Sequence, residues 1–283
     1  MQSPPITPAG TASIVGLTGG SPRLAFEVAG AGEVVLFLHG VGGNRRNWRT
    51  QLTTFSHHFR AVAWDARGYG ESEDYDGNVG ISDFADDVVR LLDHLEARAA
   101  HLVGLSMGGN VAMQCAVSYP ERVQSLVLCD TDRGMTHIPQ VERLEFLRMR
   151  RDPLLDGREI AEIAPALVDS LASPYASAEA RTALLESLLL LRKEMYIKSV
   201  EATVQFDITQ TVQQISCPTL VLVGELDRLT PPSESKAICD EIARSEFVII
   251  PRAGHLSNLE QPQAFDSEVQ RFLLALPRGP VIS

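Results

Sequence analysis

The stretch His101-Leu102-Val103-Gly104-Leu105-Ser106-Met107-Gly108-Gly109, running on into Val111, Ala112 and Cys115, decides how the rest of the chain reads. Its first half is a short apolar run of strand type, and the residues beyond the glycines have helical spacing. Between the two lies a Gly-x-Ser-x-Gly pattern. Three fixed positions at about 7% each recur by chance in about one chain in ten of this length, so the weight rests on the flanking strand and helix. A sharp strand-to-helix turn forces the serine into strained backbone geometry, and only glycine-sized neighbours fit beside it. The hydroxyl then stands at the C-terminal edge of a sheet, next to a helix N-terminus whose N–H groups favour negative charge. A nucleophile needs that setting. The alternative, a glycine-rich turn with an ordinary capping serine, needs no partners elsewhere in the chain.

Outward from this stretch, similar runs recur at Val34–Leu38, Ala61–Trp64, Ser125–Leu128, Thr219–Val223 and Phe247–Ile250. They are continuous rather than alternating, as in strands buried on both faces of a parallel sheet. Helical patterns separate most of them. Ser82 is placed to cap a helix with apolar positions Phe84, Val88, Leu91, Leu92 and Leu95, and Pro262 to open one with Phe265, Val269, Phe272, Leu273 and Leu276. This alternation predicts an α/β fold with a mostly parallel, doubly wound sheet. The preceding Ser13–Val28 reads as an antiparallel hairpin turning at Gly19-Gly20. Between Cys129 and Thr219 no strand-like run occurs. Helices are expected over Pro139–Arg151, Arg158–Leu171 and Ala178–Val204, punctuated by Pro153, Pro165 and Pro174. The organisation expected is a core of residues 1–135 and 213–283, with residues 136–212 inserted as a helical cap, or lid, over one end of the sheet.

A nucleophilic serine needs a base, and the base needs an orienting acid. Of the seven histidines only His255, in Pro251-Arg-Ala-Gly254-His255, follows a late strand closely enough to return to the strand edges. His57, His58, His94 and His137 read as solvent-facing, and His101 starts a strand. The acid candidate is Asp227, in Gly224-Glu-Leu-Asp227-Arg-Leu-Thr-Pro231, which gives the chain order Ser106, Asp227, His255. Asp130, at the end of the preceding strand, is the rival, with bonding of the turn into the helical segment as its plainer role. An oxyanion needs a cradle of donors, and the turn His39-Gly40-Val41-Gly42-Gly43 supplies one: the backbone N–H groups of Val41 and Met107. His39 is expected to brace that turn. Leu188, Leu229 and Leu256 are the candidate pocket residues. Arg143, Arg148, Arg150 and Arg151 could meet a substrate carboxylate, but read better as a solvated helix face.

Composition narrows the classes. The 283 residues are 45% hydrophobic and 22% charged, ordinary for a globular protein able to bury a full core. A net charge of −11 repels phosphate backbones, so nucleic acid is not expected as a partner. Cys115, Cys129, Cys217 and Cys239 are scattered, with neither metal-ligand nor disulfide spacing, so no metal is expected and the thiols read as reduced and buried. The opening Met1–Gly10 has no basic or apolar region of a signal peptide, and no apolar run approaches the roughly 20 residues a membrane helix needs. A cytoplasmic protein with no membrane partner is expected; a homodimer is allowed.

With these pieces assembled, the chain resembles the α/β-hydrolase family from Ser13 to Leu276. The resemblance is carried by His39-Gly40, Asp65-Ala-Arg67-Gly68-Tyr-Gly70-Glu-Ser72, Gly104-Leu-Ser106-Met-Gly108-Gly109, Asp227 and Gly254-His255. Within the family, the serine motif together with His255-Leu-Ser-Asn-Leu-Glu260-Gln-Pro262 looks most like carboxylesterases and the 3-oxoadipate enol-lactonase group. Haloalkane dehalogenases are similar but carry an aspartate where Ser106 stands. The resemblance implies a cofactor-free serine hydrolase acting on a small, largely apolar ester or lactone through an acyl-enzyme, with Asp65 and Arg67 holding their loop together. Two alternatives are a carbon–carbon bond hydrolase of the meta-cleavage type, which commonly has asparagine where Leu105 stands, and a hydrolase-like receptor for a small ligand.

Overall fold

In the computed structural model, which describes residues 13–135 and 138–277, the apolar runs pair into one eight-stranded sheet. The strands are β1 (Ile14–Leu17), β2 (Ala25–Ala29), β3 (Val34–Leu38), β4 (Arg60–Trp64), β5 (Ala100–Leu105), β6 (Val123–Cys129), β7 (Thr219–Gly224) and β8 (Ser245–Ile250), in the order β1-β2-β4-β3-β5-β6-β7-β8. β1 and β2 are antiparallel, β2 joins β4 antiparallel, and every other pairing is parallel. The hairpin connection is longer than a turn at Gly19-Gly20: it is closed by Thr18 N–H on the Leu24 carbonyl at 2.9 Å. Strands β3, β5 and β7 are buried at every position, because helices cover both faces of the sheet. β8 departs from that expectation. It is an edge strand, and Ile249 is 45% exposed.

Helices α1 (Arg49–Phe55) and α11 (Pro262–Ala275) cover one face. α2 (Ile81–His94), α3 (Met107–Ser118) and α9 (Pro232–Glu241) cover the other, and α10 (Ser257–Glu260) is a single turn before α11. α2 buries Phe84, Val88, Leu91 and Leu92. Its cap is Gly80 rather than Ser82: Asp83 accepts the Gly80 N–H at 2.7 Å, while Ser82 is exposed in the first turn. The Asp65–Ser72 loop is held as expected. Asp65 accepts from the Arg45 and Glu71 N–H groups at 2.8 and 2.9 Å, and Arg67 grips the buried Asp87 through Nε and Nη2 at 2.6 and 2.8 Å.

The connection from β6 to β7 carries α4 (Gln140–Arg150), α5 (Asp152–Leu155), α6 (Ile160–Leu171), α7 (Ala178–Leu189) and α8 (Lys193–Gln205). They share their own apolar cluster, including Leu154, Ile163, Leu167, Leu184, Leu188 and Val200. One expectation fails here. The helix foreseen over Ala178–Val204 is two helices, broken where Arg192 reaches the Gly70 and Ser72 carbonyls at 2.8 and 2.9 Å. Pro165 lies inside α6, within the range expected for that helix. Elsewhere, Cys115 and Cys129 are buried but Cys217 and Cys239 only half so. His94, expected in solvent, is half-buried with its ring edge-on to Phe26; His137 lies outside the described residues. No helix among the described residues is long and apolar enough to cross a membrane.

Candidate active site

β5 leads directly into α3, and Ser106 sits between them with φ 54° and ψ −121°. Such a conformation in a non-glycine residue costs about 1–3 kcal/mol. The surroundings hold it: Ser106 N–H donates to the Cys129 carbonyl at 2.9 Å, and its own carbonyl accepts from Gly109 N–H at 2.7 Å and Thr131 Oγ1 at 2.8 Å. The flanking glycines follow from close approach. A Cβ on Gly104 would lie 2.2 Å from the Gly108 carbonyl oxygen, and one on Gly108 would lie 2.2 Å from that of Leu38.

Asp227 follows β7 and His255 follows β8, so the adjacent parallel strands deliver both to the same edge. His255 Nδ1 lies 2.9 Å from Asp227 Oδ2 and both residues are 4% exposed. An ionised carboxylate only accepts, so Nδ1 carries the proton and Nε2 keeps its lone pair. Thr230 fixes the carboxylate: its hydroxyl donates to Oδ2 at 2.7 Å, and the N–H groups of Leu229 and Thr230 donate to Oδ1 at 2.9 and 3.0 Å. Burial opposes the charge on Asp227, but the facing imidazole and these bonds outweigh it and hold its pKa below the ordinary value. Burial likewise opposes a charged His255, and the Asp227 charge outweighs it, so its pKa is raised.

Asp130 is fully buried within the core. Its Oδ1 accepts Gly224 N–H at 2.7 Å, and its Oδ2 accepts the Ser257 hydroxyl at 2.5 Å and the Ser257 N–H at 3.2 Å. It thus ties β7 to α10 rather than bonding its turn into the helical insertion. Burial and the charge of Asp227 push its pKa up to about 7.

Ser106 and His255 line one cavity with Gly40, Val41, Leu188, Leu229 and Leu256. No hydrogen bond joins the serine and histidine side chains among the described residues, and neither the Val41 nor the Met107 N–H has an acceptor there. Gly40 allows the close approach: a Cβ on it would be 2.9 Å from the Ser106 Cβ. His39 has no nitrogen to spare as a base. Its Nδ1–H donates to the Gly40 carbonyl at 2.9 Å, and its Nε2 accepts Ala66 N–H at 3.1 Å. The cavity holds about 930 Å³, its open mouth included. Leu184, Leu188, Leu167 and Phe146 of the insertion wall one side of it, while Leu189 and Leu190 are about half exposed and take no part.

A family model described as the alpha/beta hydrolase fold matches residues 33–262. The chain belongs to that family. Among its relatives is 3-oxoadipate enol-lactonase 2 of Acinetobacter baylyi, 27% identical over 83% of this chain and 86% of that protein. A 2-hydroxy-6-oxononadienedioate/2-hydroxy-6-oxononatrienedioate hydrolase of Paraburkholderia phymatum is 30% identical over 91% and 93%. The solved thermophilic esterase of Thermogutta terrifontis, with malate bound, superposes with a TM-score of 0.83 at 31% identity, covering 93% of this chain and 98% of that one.

Two features of this alpha/beta hydrolase site escape local sequence reading. Thr230, three residues after Asp227, buttresses the carboxylate; the Asp-x-x-Thr spacing of an aspartate-centred turn is its only signal. Arg150 is the other. Arg148 pairs with Glu145 in solvent and Arg151 with Asp152, as a polar helix face would, whereas Arg150 is 6% exposed and lines the cavity.

Proposed function

We propose that the chain is a serine hydrolase cleaving carboxylic esters or lactones through an acyl-enzyme, with Ser106, His255 and Asp227 as nucleophile, base and orienting acid. The observation that carries this reading is the buried 2.9 Å bond between His255 Nδ1 and Asp227 Oδ2, opening on the same cavity as a serine held at positive φ. His255 Nε2 takes the Ser106 proton as Oγ attacks the carbonyl carbon. The oxyanion settles on the N–H groups of Val41 and Met107, which have no other acceptor among the described residues. Asp227 stabilises the imidazolium; His255 then protonates the departing alkoxide and activates water to release the acid. No cofactor takes part. The insertion, residues 136–212, acts as a cap whose leucines select the body of the substrate. The esterase and enol-lactonase among the relatives support this chemistry.

The Paraburkholderia phymatum relative favours a second reading, hydrolysis of a carbon–carbon bond in a vinylogous diketone by the same residues. A parallel screen of p-nitrophenyl esters, lactones and vinylogous diketones against wild type and Ser106→Ala separates the two. The ester or lactone reading expects turnover of the first two classes, lost by about 10⁴-fold or more in Ser106→Ala. A preference for diketones overturns it.

A further inference from the structure

A cation without a counter-ion is buried in the wall of this cavity. Arg150, in the last turn of α4, is 6% exposed, and its guanidinium carbon lies over the Phe146 ring, 4.2 Å from the centroid. Among the described residues no carboxylate lies within ion-pair distance of it and none accepts its hydrogen bonds. Other arginines of the fold are paired with carboxylates, Arg45 with Asp65, Arg67 with Asp87 and Arg133 with Glu241, while the half-buried Arg60 donates to the Leu95 carbonyl and the half-buried Arg143 does not line the cavity. Burying an unpaired charge is costly, and an apolar side chain would pack on Phe146 without that cost. Burial lowers the guanidinium pKa, yet an arginine stays protonated at neutral pH. Its charge acts on neighbouring groups of the cavity: burial pushes the Tyr196 phenol up to about 12 and Asp227 raises His255, and in both cases the Arg150 charge works the other way.

A guanidinium is planar and carries its N–H donors in that plane, where a carboxylate can take two at once. We propose that Arg150 is an anion-binding subsite and that the preferred substrates are esters or lactones carrying a free carboxylate remote from the scissile bond. The leucine walls hold the apolar body between the two ends. The inference rests on the ester or lactone reading above.

The test uses p-nitrophenyl hydrogen glutarate and adipate beside their methyl esters, which keep the shape and remove the charge. Wild type is expected to favour the acids in kcat/KM by about tenfold or more. In Arg150→Met that ratio falls by about 10- to 100-fold, the worth of a charge-assisted bond, and the fall lies in KM. Arg150→Lys restores part of it, since a point charge remains without the fork. Free glutarate and adipate should inhibit wild type competitively and Arg150→Met correspondingly less. A ratio near one in wild type, or a ratio unchanged in Arg150→Met, overturns the proposal. Turnover of the methyl esters without preference for the acids overturns this inference alone, whereas no turnover of any ester by wild type overturns the hydrolase reading as well.

Discussion

Replacing Asp227 by asparagine removes one charge and almost no volume, so its effect isolates the electrostatics of the base. The carboxylate Oδ2 sits 2.9 Å from His255 Nδ1, with Thr230 fixing its other side. At an effective dielectric of about 20, unit charges at that distance attract by about 6 kcal/mol. That attraction is available to the imidazolium of the transition state and absent from the resting neutral ring. An asparagine amide also offers an N–H to Nδ1, which moves the ring proton to Nε2, where the serine proton must go. Loss of about 10⁴ in kcat, or about 5 kcal/mol, is the expected outcome and agrees with the Coulomb figure. Asp130→Asn is the matched control. Its carboxyl bonds Gly224 and Ser257 rather than the imidazole, so it acts on His255 only through space, and a loss within about tenfold is expected. Both variants would be assayed with p-nitrophenyl butyrate across pH 5 to 9, after circular dichroism shows an unchanged fold. If Asp130→Asn costs as much as Asp227→Asn, or if Asp227→Asn stays within tenfold of wild type, the assignment of the acid is wrong.

Three further outcomes follow from the same geometry. Catalysis needs neutral His255, and Asp227 raises the pKa of that ring, so kcat/KM should climb with pH through a midpoint above 6.5; a midpoint near 5 in a pH–rate profile contradicts the pairing. Asp130, with its pKa near 7, is only partly ionised at that pH, so Asp130→Asn removes part of a second negative charge and should move the midpoint down modestly, which the same profile reads. A Gly108→Ala substitution would place a methyl 2.2 Å from the Leu38 carbonyl oxygen, so urea denaturation should show a loss of about 3 kcal/mol or failure to fold, and stability within about 0.5 kcal/mol of wild type would refute the close approach.

What the sequence discloses depends on how local the cause is. The Ser106 turn is legible because strand, glycines, serine and helix lie within fifteen residues, and their reasons are steric contacts such as Gly108 against Leu38. His255 and Asp227 are legible only jointly, through chain order and the ends of the late strands. The break between α7 and α8 is not, since no glycine or proline marks it and Arg192 finds its acceptors more than a hundred residues away. The burial of Arg150 is equally hidden. Arg143, Arg148, Arg150 and Arg151 look alike in sequence, and only the seating of α4 over the sheet edge separates the one that meets the cavity. Pro165 sits mid-way along α6, where a proline forfeits a backbone bond and crowds the preceding turn at a cost of about 3 kcal/mol, offset by the burial of Ile163, Ala164 and Leu167 on the same helix.

Whether Ser106 is the nucleophile is decided by covalent capture. Wild type and Ser106→Ala would each be treated with a fluorophosphonate, and the modified peptide identified by mass spectrometry. A nucleophilic Ser106 requires stoichiometric phosphonylation of that residue, loss of ester turnover in step with labelling, and no labelling of Ser106→Ala. Labelling at another residue, or wild type that keeps its turnover with Ser106 unmodified, would contradict it.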